Sequence, residues 1–73
     1  MYKHFLKLKD FARLTNLSRK ALLLYEKKGL LMPTHVDQNT GYRYYHESLI
    51  RDGAILSFLR NFDIPLPMMS KLH

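Results

Sequence analysis

From Phe11 to Leu31 the chain reads FARLTNLSRKALLLYEKKGLL, with apolar positions recurring at helical spacing on either side of Asn16-Leu17. The pattern predicts two short helices hinged at that dipeptide. Ser18 is a strong N-cap, because its hydroxyl can accept from a free backbone N–H in the next turn. The second helix is expected over Arg19–Lys28, closed by Gly29 in the left-handed conformation, with Lys27 and Lys28 against the negative end of the dipole. Ala21-Leu22-Leu23-Leu24-Tyr25 is too long an apolar run for one helix face. Leu22 and Tyr25 are therefore assigned to the core, and Leu23 or Leu24 is expected to be partly exposed. Two helices joined by so short a turn form a helix-turn-helix or an ordinary αα-hairpin with a solvated basic face.

The flanking segments change period. Phe5–Lys9 (FLKLK) alternates apolar residues with lysine and predicts a short edge strand. Asp10 suits the first turn of the first helix, and Leu8, Phe11, Ala12 and Leu14 are expected mainly on its buried side. After Leu30-Leu31-Met32-Pro33, the turn formers Asp37, Asn39, Thr40 and Gly41 precede the β-prone run Tyr42–Tyr45. A hairpin with strands near Thr34–Asp37 and Tyr42–Tyr45 follows, with Tyr42 and Tyr44 on one face and Arg43 and Tyr45 on the other. A third helix is expected over Ser48–Phe62, with Leu49, Ile50, Ile55, Leu56, Phe58, Leu59 and Phe62 as its apolar set. Gly53 inside it costs about 1 kcal/mol relative to Ala, which points to a close helix contact. Pro65 and Pro67 sit where a last short helix, Leu66–Leu72, would begin, with Met68 and Met69 as core filler. The fold expected is mainly α: a winged helix-turn-helix of about four helices with a small β-hairpin wing. It forms one domain over residues 1–73, with the helix-turn-helix at about 8–29, the wing at about 34–45 and a helix pair at about 47–72.

Charge sharpens this picture. Residues 1–45 carry nine Lys or Arg against three Asp or Glu, whereas residues 46–73 carry three of each, so the whole net charge of +6 lies with the helix-turn-helix and wing. Such asymmetry favours a polyanion. An anionic membrane surface would call for a long basic amphipathic helix, which the pattern lacks, and no apolar run reaches the roughly 20 residues of a membrane span. There is no cysteine, in keeping with a cytoplasmic protein. His4, His35, His46 and His73 lack ligand spacing, so neither a metal nor another cofactor is expected. No nucleophile–base pair or glycine-rich phosphate loop suggests an enzyme.

Taken together, NLSRKAL, YEKKGLL-x-P, VD-x-x-TGYRYY and the later IPL-x-x-M resemble the MerR family of bacterial transcription regulators over about residues 6–72. The wing and the proline spacing resemble its multidrug-responsive branch. The resemblance implies sequence-specific binding to a palindromic promoter operator in double-stranded DNA. The bound homodimer distorts that DNA so that RNA polymerase, an indirect partner, can read both promoter elements. By matching positions, Ser18, Arg19 and Lys20 would stand at the groove-facing start of the recognition helix. Tyr42 and Arg43 would be wing contacts, and Arg60 would belong to a second wing formed by the helix pair. Arg43 has few structural reasons to stand as a lone cation in an aromatic strand, which strengthens its assignment to DNA.

Two departures from the family pattern stand out. Leu23-Leu24 occupy the place of a usual Arg-Tyr that helps hold the DNA backbone, and leucine cannot donate to a phosphate. Members of the family also continue into a long dimerisation helix and usually an effector domain. The chain is thus expected to be a module of a longer protein or a minimal excisionase-like architectural DNA-binding protein. A winged-helix module that binds protein through Leu23 and Leu24 is the competing class.

Overall fold

The computed structural model describes residues 3–62. Strand β1 (Phe5–Lys7) runs into helix α1 (Leu8–Thr15), followed by α2 (Arg19–Lys27), β2 (His35–Val36), β3 (Arg43–His46), a 3₁₀ turn (Glu47–Leu49) and α3 (Ile50–Arg60). The short helix expected over residues 66–72, with its prolines and methionines, lies outside the described residues.

The helix ends form where local chemistry places them. Asn16 takes the left-handed conformation (φ 58°, ψ 36°) that ends α1, a conformation asparagine tolerates better than most residues. The Leu17 N–H then donates to the Ala12 carbonyl at 3.0 Å. Ser18 caps α2, its Oγ accepting from the Ala21 N–H at 3.0 Å. At the other end, Gly29 stands at φ 72°. The Leu30 N–H donates to the Tyr25 carbonyl at 2.8 Å and the Gly29 N–H to the Glu26 carbonyl at 3.1 Å, the paired bonds of a Schellman closure. Leu30 and Tyr25 are both buried there and supply its apolar contact.

Strand β3 is central, with β1 and β2 antiparallel on either side. Phe5 pairs with His46 and Lys7 with Tyr44 on one edge, and Val36 pairs with Arg43 on the other. The expected hairpin is present, and β1 joins it as a third strand. The strand expected over Phe5–Lys9 ends at Lys7, because Leu8 already begins α1. At the wing tip the Asp37 carboxylate accepts from the Asn39 and Thr40 N–H groups at 2.8 and 3.0 Å. Those bonds, led by the one from Thr40, lower its pKa below the ordinary carboxylate value. Gly41 (φ 76°) completes the turn.

The core gathers Phe11 from α1, Leu17 from the hinge, Ala21, Leu22 and Tyr25 from α2, Leu30 and Leu31 after it, Tyr45 from β3 and Leu56 from α3. Phe11 and Tyr45 stack nearly parallel, with ring centroids 4.3 Å apart. Helices α1 and α3 cross where Gly53 meets Thr15. A Cβ on Gly53 would lie 2.6 Å from Thr15 Cγ2, so the close helix contact read from the glycine is present.

Three expectations need correction. Leu14 is exposed rather than on the buried side of α1. The inward line of that helix is Phe11–Thr15, and Leu14 is turned about 100° from Thr15. In α3 the buried residues are Gly53, Leu56 and Ser57, while Ile55 and Phe58 face outward. Phe62, expected within the helix, is exposed in the turn beyond its end at Arg60. The crossing at Gly53 selects which stripe of the helix points inward, and the rest of the apolar set is left outside. Expected to open at Ser48, the helix begins at Ile50 after the 3₁₀ turn, which His46 caps by accepting from the Ser48 N–H at 3.1 Å.

Candidate nucleic-acid interface

The Ser18 cap puts Arg19 and Lys20 in the first turn of α2, where both side chains are exposed. The hinge at Asn16 sets the direction in which that turn points. Across from it stands the wing, held against the helices by Tyr45 in the core. Alternation along β3 sends Tyr45 inward. The Tyr42 ring, just before the strand, is 56% exposed. Between α2 and the wing lies an open groove of about 580 Å³. Arg19, Tyr42 and Arg43 line it together with Lys7 and Lys9, over a floor of Leu8 and Ala12.

The groove thus brings Arg19 of the helix start together with Tyr42 and Arg43 of the wing. Ser18 and Lys20 stand exposed beside the groove at the helix start, and the Ser18 hydroxyl is engaged in the cap. Arg60 is exposed in the last turn of α3 and is not among the residues lining the groove. Lys7 and Lys9 escaped the sequence reading, although the alternation that predicted β1 sets both lysines apart from the partly buried Leu6 and Leu8. Lys7 Nζ sits 5.2 Å from the centroid of the Tyr42 ring, a cation–π contact worth about 0.5–1 kcal/mol at an exposed site.

Arg43 has a structural partner that the sequence reading did not foresee. Its Nε donates to Glu26 Oε1 at 2.6 Å and its Nη2 to Glu26 Oε2 at 3.2 Å. The two side chains are only 29% and 21% exposed. This fork joins the last turn of α2 to the wing, so the premise that Arg43 lacks a structural role is corrected. The hydrogen bonding with Glu26 raises the Arg43 pKa further above its ordinary value. Its Nη1 also lies 3.4 Å from the Gly41 carbonyl, which leaves N–H donors at the groove edge. Leu23 is half-buried and Leu24 is 40% exposed, so the apolar pair faces the surface in part, as expected.

Among the described residues no group of three or more His, Cys, Asp or Glu is placed to hold a metal ion. No described helix is long and apolar enough to cross a membrane.

Several known proteins are similar to the chain. It is 37% identical over 62 residues to the multidrug-efflux transporter 1 regulator of Bacillus subtilis, covering 85% of the chain and 22% of that protein. It is 33% identical over 63 residues to the transcriptional regulator BrlR of Pseudomonas aeruginosa, covering 86% of the chain and 23% of that protein. The chain therefore spans less than a quarter of the length of these curated relatives. Its fold is that of a chain in the cryo-EM structure of the EcmrR–DNA complex in EcmrR-RPo, with a TM-score of 0.81 at 24% identity, over 92% of this chain and 25% of that one. The description of the MerR family regulatory proteins matches residues 7–45, more than half of the chain and the part that builds the groove, and the chain belongs to that family.

Proposed function

We propose that the chain is the DNA-binding module of a transcription regulator, taking double-stranded DNA between the start of α2 and the wing. The observation that carries this reading is the convergence of Arg19, Tyr42 and Arg43 on one groove from two separate elements. A helix flanked by a wing can present its first turn to the major groove while the wing follows the adjacent backbone. In this reading Ser18, Arg19 and Lys20 meet the DNA at the helix start. Tyr42 contributes its hydroxyl and Arg43 the N–H groups that Glu26 leaves free, while Arg60 contacts the backbone from a second wing. Phosphate contacts fix register, and base edges supply sequence preference.

The target is a palindromic promoter operator bound by a homodimer of the full-length protein in the cytoplasm. Deformation of that DNA is the means by which polymerase is affected. Likeness to a regulator named for a multidrug-efflux transporter supports the multidrug-responsive branch. Leu23 and Leu24 supply no hydrogen bond to phosphate, so the basic residues around the groove carry a larger share of the backbone contact.

Fluorescence anisotropy of a short labelled duplex, titrated with the chain at two salt concentrations, tests the reading. Each phosphate neutralised lowers affinity about 3.5-fold between about 50 and 200 mM salt. The expected result is binding that weakens steeply with salt and is weakened further by Arg19→Gln with Lys20→Gln. No binding at low salt by the folded chain would transfer the function to the protein-interaction reading through Leu23 and Leu24.

A further inference from the structure

We propose that Lys7 and Lys9, at the corner where β1 turns into α1, form with Tyr42 a second phosphate seat on the groove wall facing Arg19. The proposal rests on the duplex-binding reading and adds to it the corner between β1 and α1, outside the recognition helix. Four features of the structure carry it.

First, both lysines are exposed and line the same groove as Arg19 and Tyr42. Second, among the described residues neither lysine has a carboxylate partner. Asp10 is paired with Arg13 at 3.2 Å, Glu26 with Arg43, and Glu47 with His4 at 3.3 Å. Those carboxylates are thus engaged by other side chains, and none of them pairs with Lys7 or Lys9. Third, Lys7 is placed rather than merely free. Its Nζ lies 5.2 Å from the Tyr42 ring centroid, and the pairing of Lys7 with Tyr44 fixes the backbone beneath it. A flexible four-carbon side chain held over an aromatic face loses less freedom when it meets an anion. Fourth, the arginine of the wing is largely committed to Glu26, so the lysines hold the least encumbered charge on that wall.

Lys7 and Lys9 then act as phosphate contacts, and Tyr42 acts chiefly as a positioning residue for Lys7 through its ring. Two cations lost from a duplex interface flatten the plot of log affinity against log salt by about 1.8. The test uses the 73-residue chain and the same labelled duplex over a salt series, with circular dichroism to verify folding. All substituted side chains are exposed. Lys7→Gln with Lys9→Gln should flatten the slope by about 1.8, whereas Lys28→Gln, beyond the far end of α2, should leave it unchanged. Tyr42→Phe should keep the slope, because the ring remains, and Tyr42→Leu should flatten it by about 0.9. An unchanged slope in the double-lysine variant, with the wild-type chain still salt-sensitive, overturns the seat and leaves duplex binding standing. Flattening by about 0.9 in Lys28→Gln also overturns it, since each lost cation would then count alike and the effect would be one of net charge. A wild-type chain that fails to bind, or binds without salt dependence, removes the duplex reading and the seat with it.

Discussion

Gly53→Ala sets helix propensity against packing, and the structure decides the sign. In an exposed helix the substitution would stabilise by about 0.8–1 kcal/mol. Here the added Cβ would lie 2.6 Å from Thr15 Cγ2 and 3.2 Å from both Thr15 Cβ and Phe11 Cζ. None of these atoms can yield easily. Phe11 is fully buried and stacked on Tyr45, while the Thr15 hydroxyl donates to the Phe11 carbonyl at 2.7 Å. Rotating Thr15 to make room would sacrifice a buried hydrogen bond worth about 1–3 kcal/mol, and separating α1 from α3 incurs an overpacking cost of about 1–3 kcal/mol. After the propensity gain of about 1 kcal/mol, a net loss of up to about 2 kcal/mol remains, which lowers Tm by up to roughly 15 °C in a domain of this size. Thermal unfolding followed by far-UV circular dichroism reads it directly. Thr15→Ser removes the offending methyl and keeps the hydroxyl, so it should recover part of the loss when combined with Gly53→Ala, with a coupling of about 1 kcal/mol. If Gly53→Ala raised Tm, or if the two substitutions were additive, the tight crossing of α1 on α3 would be refuted.

Two further outcomes are expected. Arg43→Ala should destabilise by about 1–3 kcal/mol, because it strands the half-buried Glu26 carboxylate. Arg43→Ala with Glu26→Ala should cost less than the sum of the single changes in urea unfolding, and strict additivity would remove the fork between α2 and the wing from the account. Tyr45, whose hydroxyl is buried with no hydrogen-bond partner among the described residues, has its pKa pushed up from 10.0 to about 12 by burial. Its neutral form is favoured by folding, so that contribution is complete below about pH 10 and declines by at most about 1.4 kcal/mol per pH unit as pH rises toward 12. Tyr45→Phe should leave stability at neutral pH unchanged or higher and shrink the alkaline decline. A full decline retained in Tyr45→Phe would assign it to another group.

The helix-turn-helix was legible because its punctuation is local. Ser18 caps, Gly29 closes and Asp37–Gly41 turns through backbone groups within a few residues of each side chain, so composition and spacing alone determine them. The inward Leu22 and Tyr25 followed from the same short-range periodicity, which also set Tyr45 on the face opposite Tyr44 but did not say which face turns inward. Arg19, Tyr42 and Arg43 were named by matching positions in the family resemblance, and the groove they line joins two elements whose meeting no local signal records. Tertiary structure decided whatever depends on which element lies opposite. Pairing of β1 with β3 brings Lys7 beside Tyr42 across 35 positions of sequence. Glu26 reaches Arg43 across 17 positions and turns an apparently lone cation into half of an ion pair. The approach of α1 to Gly53 chooses Leu56 and Ser57 for the interior of α3 and leaves Ile55 and Phe58 outside. Hydrophobic periodicity specifies that a helix has an apolar side but not the angle at which a neighbour meets it, and charge counts do not record which cations are already paired.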